Sequence, residues 1–188
     1  MKPLFALSLL FAALPALAQD INALTADTKK SVLPIAPKIV AAMQDAVAEK
    51  GVAGAIPVCK VMAPALIEEK RQETGWDIRR VSLKTRNAAL GTPDLWEVRQ
   101  LAEFNIRAAN GEKPETLEKS EIVTINGKPV LRYMKALPVA DVCLKCHGSS
   151  EGLEAGLKAN LAENYPHDQA TGYTKGQIRG ALTVKRPL

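Results

Sequence analysis

Glu121-Ile-Val-Thr-Ile-Asn-Gly-Lys-Pro-Val-Leu-Arg-Tyr-Met-Lys-Ala-Leu137 is the stretch that decides the fold. Two runs rich in β-branched and aromatic residues, 121–125 and 130–137, flank Asn126-Gly127, a dipeptide that accepts the left-handed backbone of a two-residue turn. The segment therefore reads as an antiparallel hairpin. Toward the N-terminus, Asp77-Ile-Arg-Arg-Val-Ser-Leu-Lys-Thr-Arg-Asn87 alternates. Val81 and Leu83 fall on one side and Arg80, Ser82, Lys84 and Arg86 on the other, which predicts a strand with one basic face. Between strand and hairpin, Pro93-Asp94 opens a helix to about Ala109, with Leu95, Val98, Ala102, Ile106 and Ala109 as its apolar stripe. Gly180–Lys185 reads as a closing strand, and residues 141–177 as loops with short helices.

A helical segment from about Ser31 to Glu73 precedes all of this, punctuated by Pro34, Pro37, Gly51, Gly54, Pro57 and Pro64. Val52, Ile56, Cys59, Ala63 and Leu66 line one face of its second half, so Cys59 is expected to point inward. Pro64 should kink the helix close to that cysteine. Helices followed by a small antiparallel sheet give an α+β domain.

The composition narrows the function classes. The chain has 188 residues, 25 Lys and Arg against 20 Asp and Glu, and 47% hydrophobic residues, which suits one globular domain and excludes disorder as its main state. Three cysteines do not make a disulfide scaffold. The net charge of +5 is diffuse, with neither a basic run nor an aromatic platform, so nothing points to nucleic acid. It would favour docking on an acidic partner.

The first residues, MKPLFALSLLFAALPALAQD, combine Lys2, an apolar run over 4–14 and an Ala16-Leu17-Ala18 site. This is the pattern of a signal peptide cleaved after Ala18, leaving residues 19–188 as one domain in a bacterial periplasm. The alternative, an uncleaved membrane anchor, fails on length, and no later stretch reaches the roughly 20 apolar residues of a membrane span.

Cys143-Leu-Lys-Cys-His147 is C-x-x-C-H, the signature of covalent c-type haem attachment. Two thiols at this spacing can each add to a haem vinyl group while His147 presents its imidazole to the iron. A zinc site would need further Cys or His pairs, and the only other histidine is His167. A thioredoxin-like redox pair would need a βαβ setting, which is missing. Candidates for the sixth iron ligand are Cys59, Met43, Met62, Met134, His167 or none. Cys59 is the one thiol left after attachment, yet a buried cysteine acting as a small hydrophobe stands as an equal reading.

Further blocks surround the motif: Ala55-Ile-Pro-Val-Cys59 before Ala63-Pro64, Arg80-x-Ser-x-Lys-x-Arg86-Asn87, Pro93-Asp-x-Trp-Glu97, and Tyr165-Pro-x-Asp-x-Ala-x-Gly-Tyr173-x-x-Gly176 leading to Gly180-Ala181. In this order they resemble a family of small exported single-haem cytochromes with a PAS-like fold. The resemblance departs at 88–92, where the family tends to have Pro and Asn. It implies that one covalent haem c is held between His147 and Cys59 as the iron's axial ligands.

An anionic thiolate opposite a neutral imidazole favours ferric iron and a low potential. Reduction would weaken the Cys59 bond and open the site to CO, NO or Met62. Arg80 and Arg86 are read as partners of the haem propionates, against the plainer reading of a solvated strand face. Trp96, Tyr133 and Tyr173 are candidate pocket walls. Two roles follow: a haem-based redox or gas sensor acting through a partner protein, or a soluble electron-transfer cytochrome. An enzyme of sulfur compounds ranks below both, since no general-base constellation accompanies the motif.

Overall fold

The structure is a computed structural model that describes residues 20–188. The signal peptide expected over 1–18, with its cleavage after Ala18, lies outside the described residues. Helix α1 (Ile21–Val32) begins well before Ser31, because the Asp20 carboxylate accepts the Asn22 N–H at 2.8 Å and caps the helix there. Helix α2 (Ile35–Lys50) follows the Leu33-Pro34 break and stops at Gly51, whose φ of 71° suits glycine.

Beyond Gly51 the chain stays helical while its pitch changes. A 3₁₀ turn (Val52–Ala55) leads to a π-turn (Val58–Met62) and then to α3 (Ala63–Thr74). Pro64 has no N–H to give to the preceding turn and its ring crowds the carbonyls behind it, so the helix widens. The Ala63 N–H then reaches back to the Val58 carbonyl. The distortion expected near Cys59 thus takes the form of a π-turn that contains Cys59.

Four strands form one antiparallel sheet in the order β1-β4-β3-β2: β1 (Asp77–Val81), β2 (Glu118–Ile125), β3 (Lys128–Pro138) and β4 (Ile178–Pro187). The hairpin is β2–β3, with Asn126 at φ 51° and Gly127 at φ 75° in its turn. The closing strand lies in the middle of the sheet, between β1 and β3. A Cβ on Gly180 would sit 2.3 Å from the Val81 carbonyl oxygen, so only glycine lets β4 and β1 approach there. Helices α4 (Ala88–Gly91) and α5 (Leu95–Ala109) connect β1 to β2, while α6 (Leu144–His147) and α7 (Ala155–Asn164) lie between β3 and β4. This is the α+β, PAS-like arrangement expected.

Each sheet face has its own core. Ile78, Tyr133, Leu182 and Val184 pack against Val32, Ile35, Ile39 and Ala63 of the N-terminal helices. Val81, Met134, Ala136 and Ala181 pack on the opposite face against Leu101 and Phe104 of α5. Two sequence expectations need correction. The predicted α5 stripe faces solvent in large part, with Leu95 79% and Ile106 56% exposed. Glu97 takes the inward place instead, because its carboxylate accepts Arg79 at 2.8 Å, Arg132 at 3.2 Å and the Thr183 hydroxyl at 2.9 Å. The alternating segment, for its part, ends as a strand at Val81. There Ser82 turns its hydroxyl to the Arg179 carbonyl at 2.7 Å and its N–H to Gly91, and the chain leaves the sheet.

Among the described residues no helix is long and apolar enough to cross a membrane.

Candidate functional site

The C-x-x-C-H segment folds as two short consecutive turns, Asp141–Cys143 and α6. Its exit is stapled to the loop before β4: the Gly172 N–H donates to the Gly148 carbonyl at 2.7 Å, and the Tyr173 N–H to the His147 carbonyl at 2.9 Å. The same loop orients the imidazole. His147 Nδ1 lies 2.6 Å from the Ala170 carbonyl oxygen, so Nδ1 carries the proton and Nε2 keeps its lone pair. Burial, with Arg179 and Arg86 nearby, drops the imidazole pKa to about 2, and the ring is a neutral donor.

The imidazole borders a cavity of about 170 Å³ between the sheet, α2 and α7. Cys59, Cys143 and Cys146 line it too, although they arrive from opposite ends of the chain. A second cavity, of about 370 Å³, shares Cys59, Arg80, Arg86, His147, Tyr165 and Arg179 with the first. Most of the remaining wall of the first is apolar, including Ile35, Ile39, Ile56, Leu137, Leu161 and Leu182. Its sulfur and nitrogen donors are spread round this wall. Among the described residues no three His, Cys, Asp or Glu side chains converge on a point as a bare metal ion requires. Such a set fits a wide, largely apolar group that meets donors at several places.

The cavity is also cationic. Three guanidinium groups, Arg80, Arg86 and Arg179, line it. Arg86 is committed elsewhere: its Nε bonds Asp168 at 2.9 Å and its Nη2 donates to the Cys146 carbonyl at 2.7 Å. It therefore braces the loop against α6. Arg179 donates to Ser82 Oγ at 2.8 Å and to the Lys84 carbonyl at 3.1 Å, and its Nε stands 3.5 Å from His147 Nε2. Burial lowers its pKa, and Arg80 and Arg86 push the same way. Arg80 projects from β1, paired in register with Leu182, into both cavities. An anionic group on the ligand would relieve this crowding of like charges.

Of the remaining residues singled out in the sequence, Tyr173 packs behind the imidazole at 6.3 Å, edge-on, with Lys84 over its ring at 4.5 Å. It supports His147 and is not among the residues bordering the cavity. Trp96 stacks on Arg132 at 4.3 Å with the α5 core, on the far face of the sheet, and is no wall of the cavity. Tyr133 faces the N-terminal helices and donates its hydroxyl to Glu118 at 3.0 Å. Met134 is buried under α5 and His167 is exposed, both away from the cavity. Met62 is not among the lining residues either, whereas Met43 is. Tyr165 and Arg179 also line the cavity, and the sequence marks neither as a site residue: Tyr165 precedes Pro166 in the Tyr-Pro-x-Asp segment, and Arg179 has only its place before Gly180.

A PAS-like α+β domain thus gathers a C-x-x-C-H turn, a third cysteine and an arginine cluster round one apolar cavity. The chain belongs to the Tll0287-like family, whose model matches residues 13–187. Its fold is similar to that in the crystal structure of the cyanobacterial haem-protein Tll0287, with a TM-score of 0.65 and 21% identity over 86% of this chain and 95% of that one. No curated protein matches the chain.

Proposed function

We propose that this chain is a periplasmic c-type cytochrome that carries one covalent haem and acts as a redox- or gas-responsive module. The observation that carries the reading is that Cys59, Cys143, Cys146 and His147 border a single apolar cavity. Membership of the Tll0287-like family and a fold shared with a haem-protein support it. Cys143 and Cys146 would form the two thioethers, and His147 Nε2 and the Cys59 sulfur would be the axial ligands. Bound there, the haem supplies an iron that changes by one electron and, with a free position, takes diatomic ligands such as CO or NO.

The protein's part is preorganisation. The Ala170 carbonyl fixes the imidazole tautomer, and Arg86 with Asp168 holds that carbonyl's loop against α6. Arg80 is the cation best placed to meet a propionate. The apolar wall would shield a bound group from water, and Arg179 would have to give up its 3.5 Å approach to His147 Nε2 for that nitrogen to act as a ligand.

The test is to make the protein in a host with working cytochrome-maturation machinery and weigh it under denaturing conditions. One haem retained on the polypeptide is expected, with loss of retention in Cys143→Ala/Cys146→Ala. A colourless product with free thiols at both positions would overturn the reading. CO uptake on reduction favours the responsive module, and a reversible potential without CO uptake favours the electron-transfer cytochrome.

A further inference from the structure

Two sulfur donors besides the attachment cysteines border the first cavity, Cys59 and Met43, and they come from elements packed on each other. Met43 lies on α2, half-buried, one turn beyond Ile39 and Val40, which border the same cavity. The π-turn with Cys59 packs along that helix. We propose that Met43 is the reserve axial ligand, binding the iron through its thioether when Cys59 is not bound. The inference rests on the cytochrome reading above and names the residue that shares Cys59's place.

The chemistry of the two sulfurs divides the work. A thiolate is anionic and favours ferric iron, whereas a thioether is neutral and soft and suits the ferrous state. The exchange itself moves no electrons: one iron–sulfur bond breaks with Cys59 keeping the pair, and another forms from a Met43 lone pair. The π-turn is a local departure from helical pitch, of the kind that recurs at functional positions. A change of ligand there needs rearrangement of one turn and not of the sheet. Met62, three residues after Cys59, is excluded by direction, since it borders neither cavity. Met134 is sealed under α5 on the other face.

Holoprotein carrying Cys59→Ala, Cys59→Ala/Met43→Leu and Cys59→Ala/Met62→Leu tests this by optical and paramagnetic resonance spectra, oxidised and dithionite-reduced. Leucine keeps the volume of methionine, so packing survives. Cys59→Ala is expected to stay low-spin, with a thioether-to-iron charge-transfer band in the ferric form, and Cys59→Ala/Met62→Leu to match it. Cys59→Ala/Met43→Leu should become high-spin and bind CO at least tenfold faster. A high-spin Cys59→Ala, or a double Met43 variant still low-spin, would overturn the proposal while leaving the haem reading intact. Loss of colour in all three and in the wild type would sink both.

Discussion

Arg86 and Asp168 form a nearly buried ion pair, Nε to Oδ2 2.9 Å, with side chains 10% and 12% exposed. Asp168 Oδ1 also accepts the Ala170 N–H at 2.8 Å, and the Ala170 carbonyl holds His147 Nδ1. One carboxylate therefore ties together the loop after β1, the loop before β4 and the ring that faces the cavity.

Replacing Asp168 with Asn should leave the guanidinium short of its counter-charge and cost about 3 kcal/mol, read as a lowered urea midpoint. Lys175→Ala breaks an ion pair whose partners are 68% and 74% exposed, and should change stability by less than about 0.5 kcal/mol. Equal effects of the two substitutions would contradict the bracing role.

Glu97 is fully buried: its Oε1 accepts Arg132 and the Thr183 hydroxyl, while its Oε2 accepts Arg79 and the Asp94 N–H that closes the α5 capping box. Glu97→Ala should destabilise by about 3–5 kcal/mol, because two cations lose their common acceptor. Leu95→Ser, at a site 79% exposed, should be close to neutral by the same denaturation assay.

Acid should loosen this corner. Burial pushes the Asp94 carboxyl up, but the Glu97 amide, Arg132 and Lys185 outweigh it and bring the pKa down from 3.8 to about 2. Above about pH 5 the group is ionised in folded and unfolded chains and its contribution is complete. As pH falls from about 5 toward 2 the unfolded chain takes up the proton first, and stability is lost. Urea midpoints measured across that window should fall more steeply for the wild type than for Asp94→Asn; parallel slopes would show that Asp94 contributes nothing.

At Gly180 even one methyl group is too much. Gly180→Ala places a carbon 2.3 Å from the Val81 carbonyl oxygen, which cannot move without parting β1 from β4. A loss of about 1–3 kcal/mol is expected from such overpacking, with faster amide exchange along 77–81. Unchanged exchange would show that the strands absorb the contact.

The parts of this fold governed by local rules could be read from the residues. Asn126-Gly127 dictates its turn whatever surrounds it, and the Asp94 cap with Pro93 marks the α5 start. The inward face of α5 was misread because Glu97 is buried by two arginines from strands remote in sequence, and apolar periodicity takes no account of ion pairs. The alternation runs on in the sequence past Val81, yet the close approach at Gly180 and the Ser82 hydroxyl end the strand. Arg86 thereby moves from a sheet face to a brace on α6. The attachment motif was visible as spacing. The meeting of Cys59 with it depends on how α2, the π-turn and α7 pack, which no local pattern encodes.

On the proposed reading Cys59 and His147 would hold one haem between them, brought together from distant parts of the chain. Paramagnetic resonance of the ferric holoprotein reports that ligand pair. A low-spin spectrum of thiolate–imidazole type is expected in the wild type and should vanish in Cys59→Ala, while a wild-type spectrum identical to that of Cys59→Ala would contradict the account.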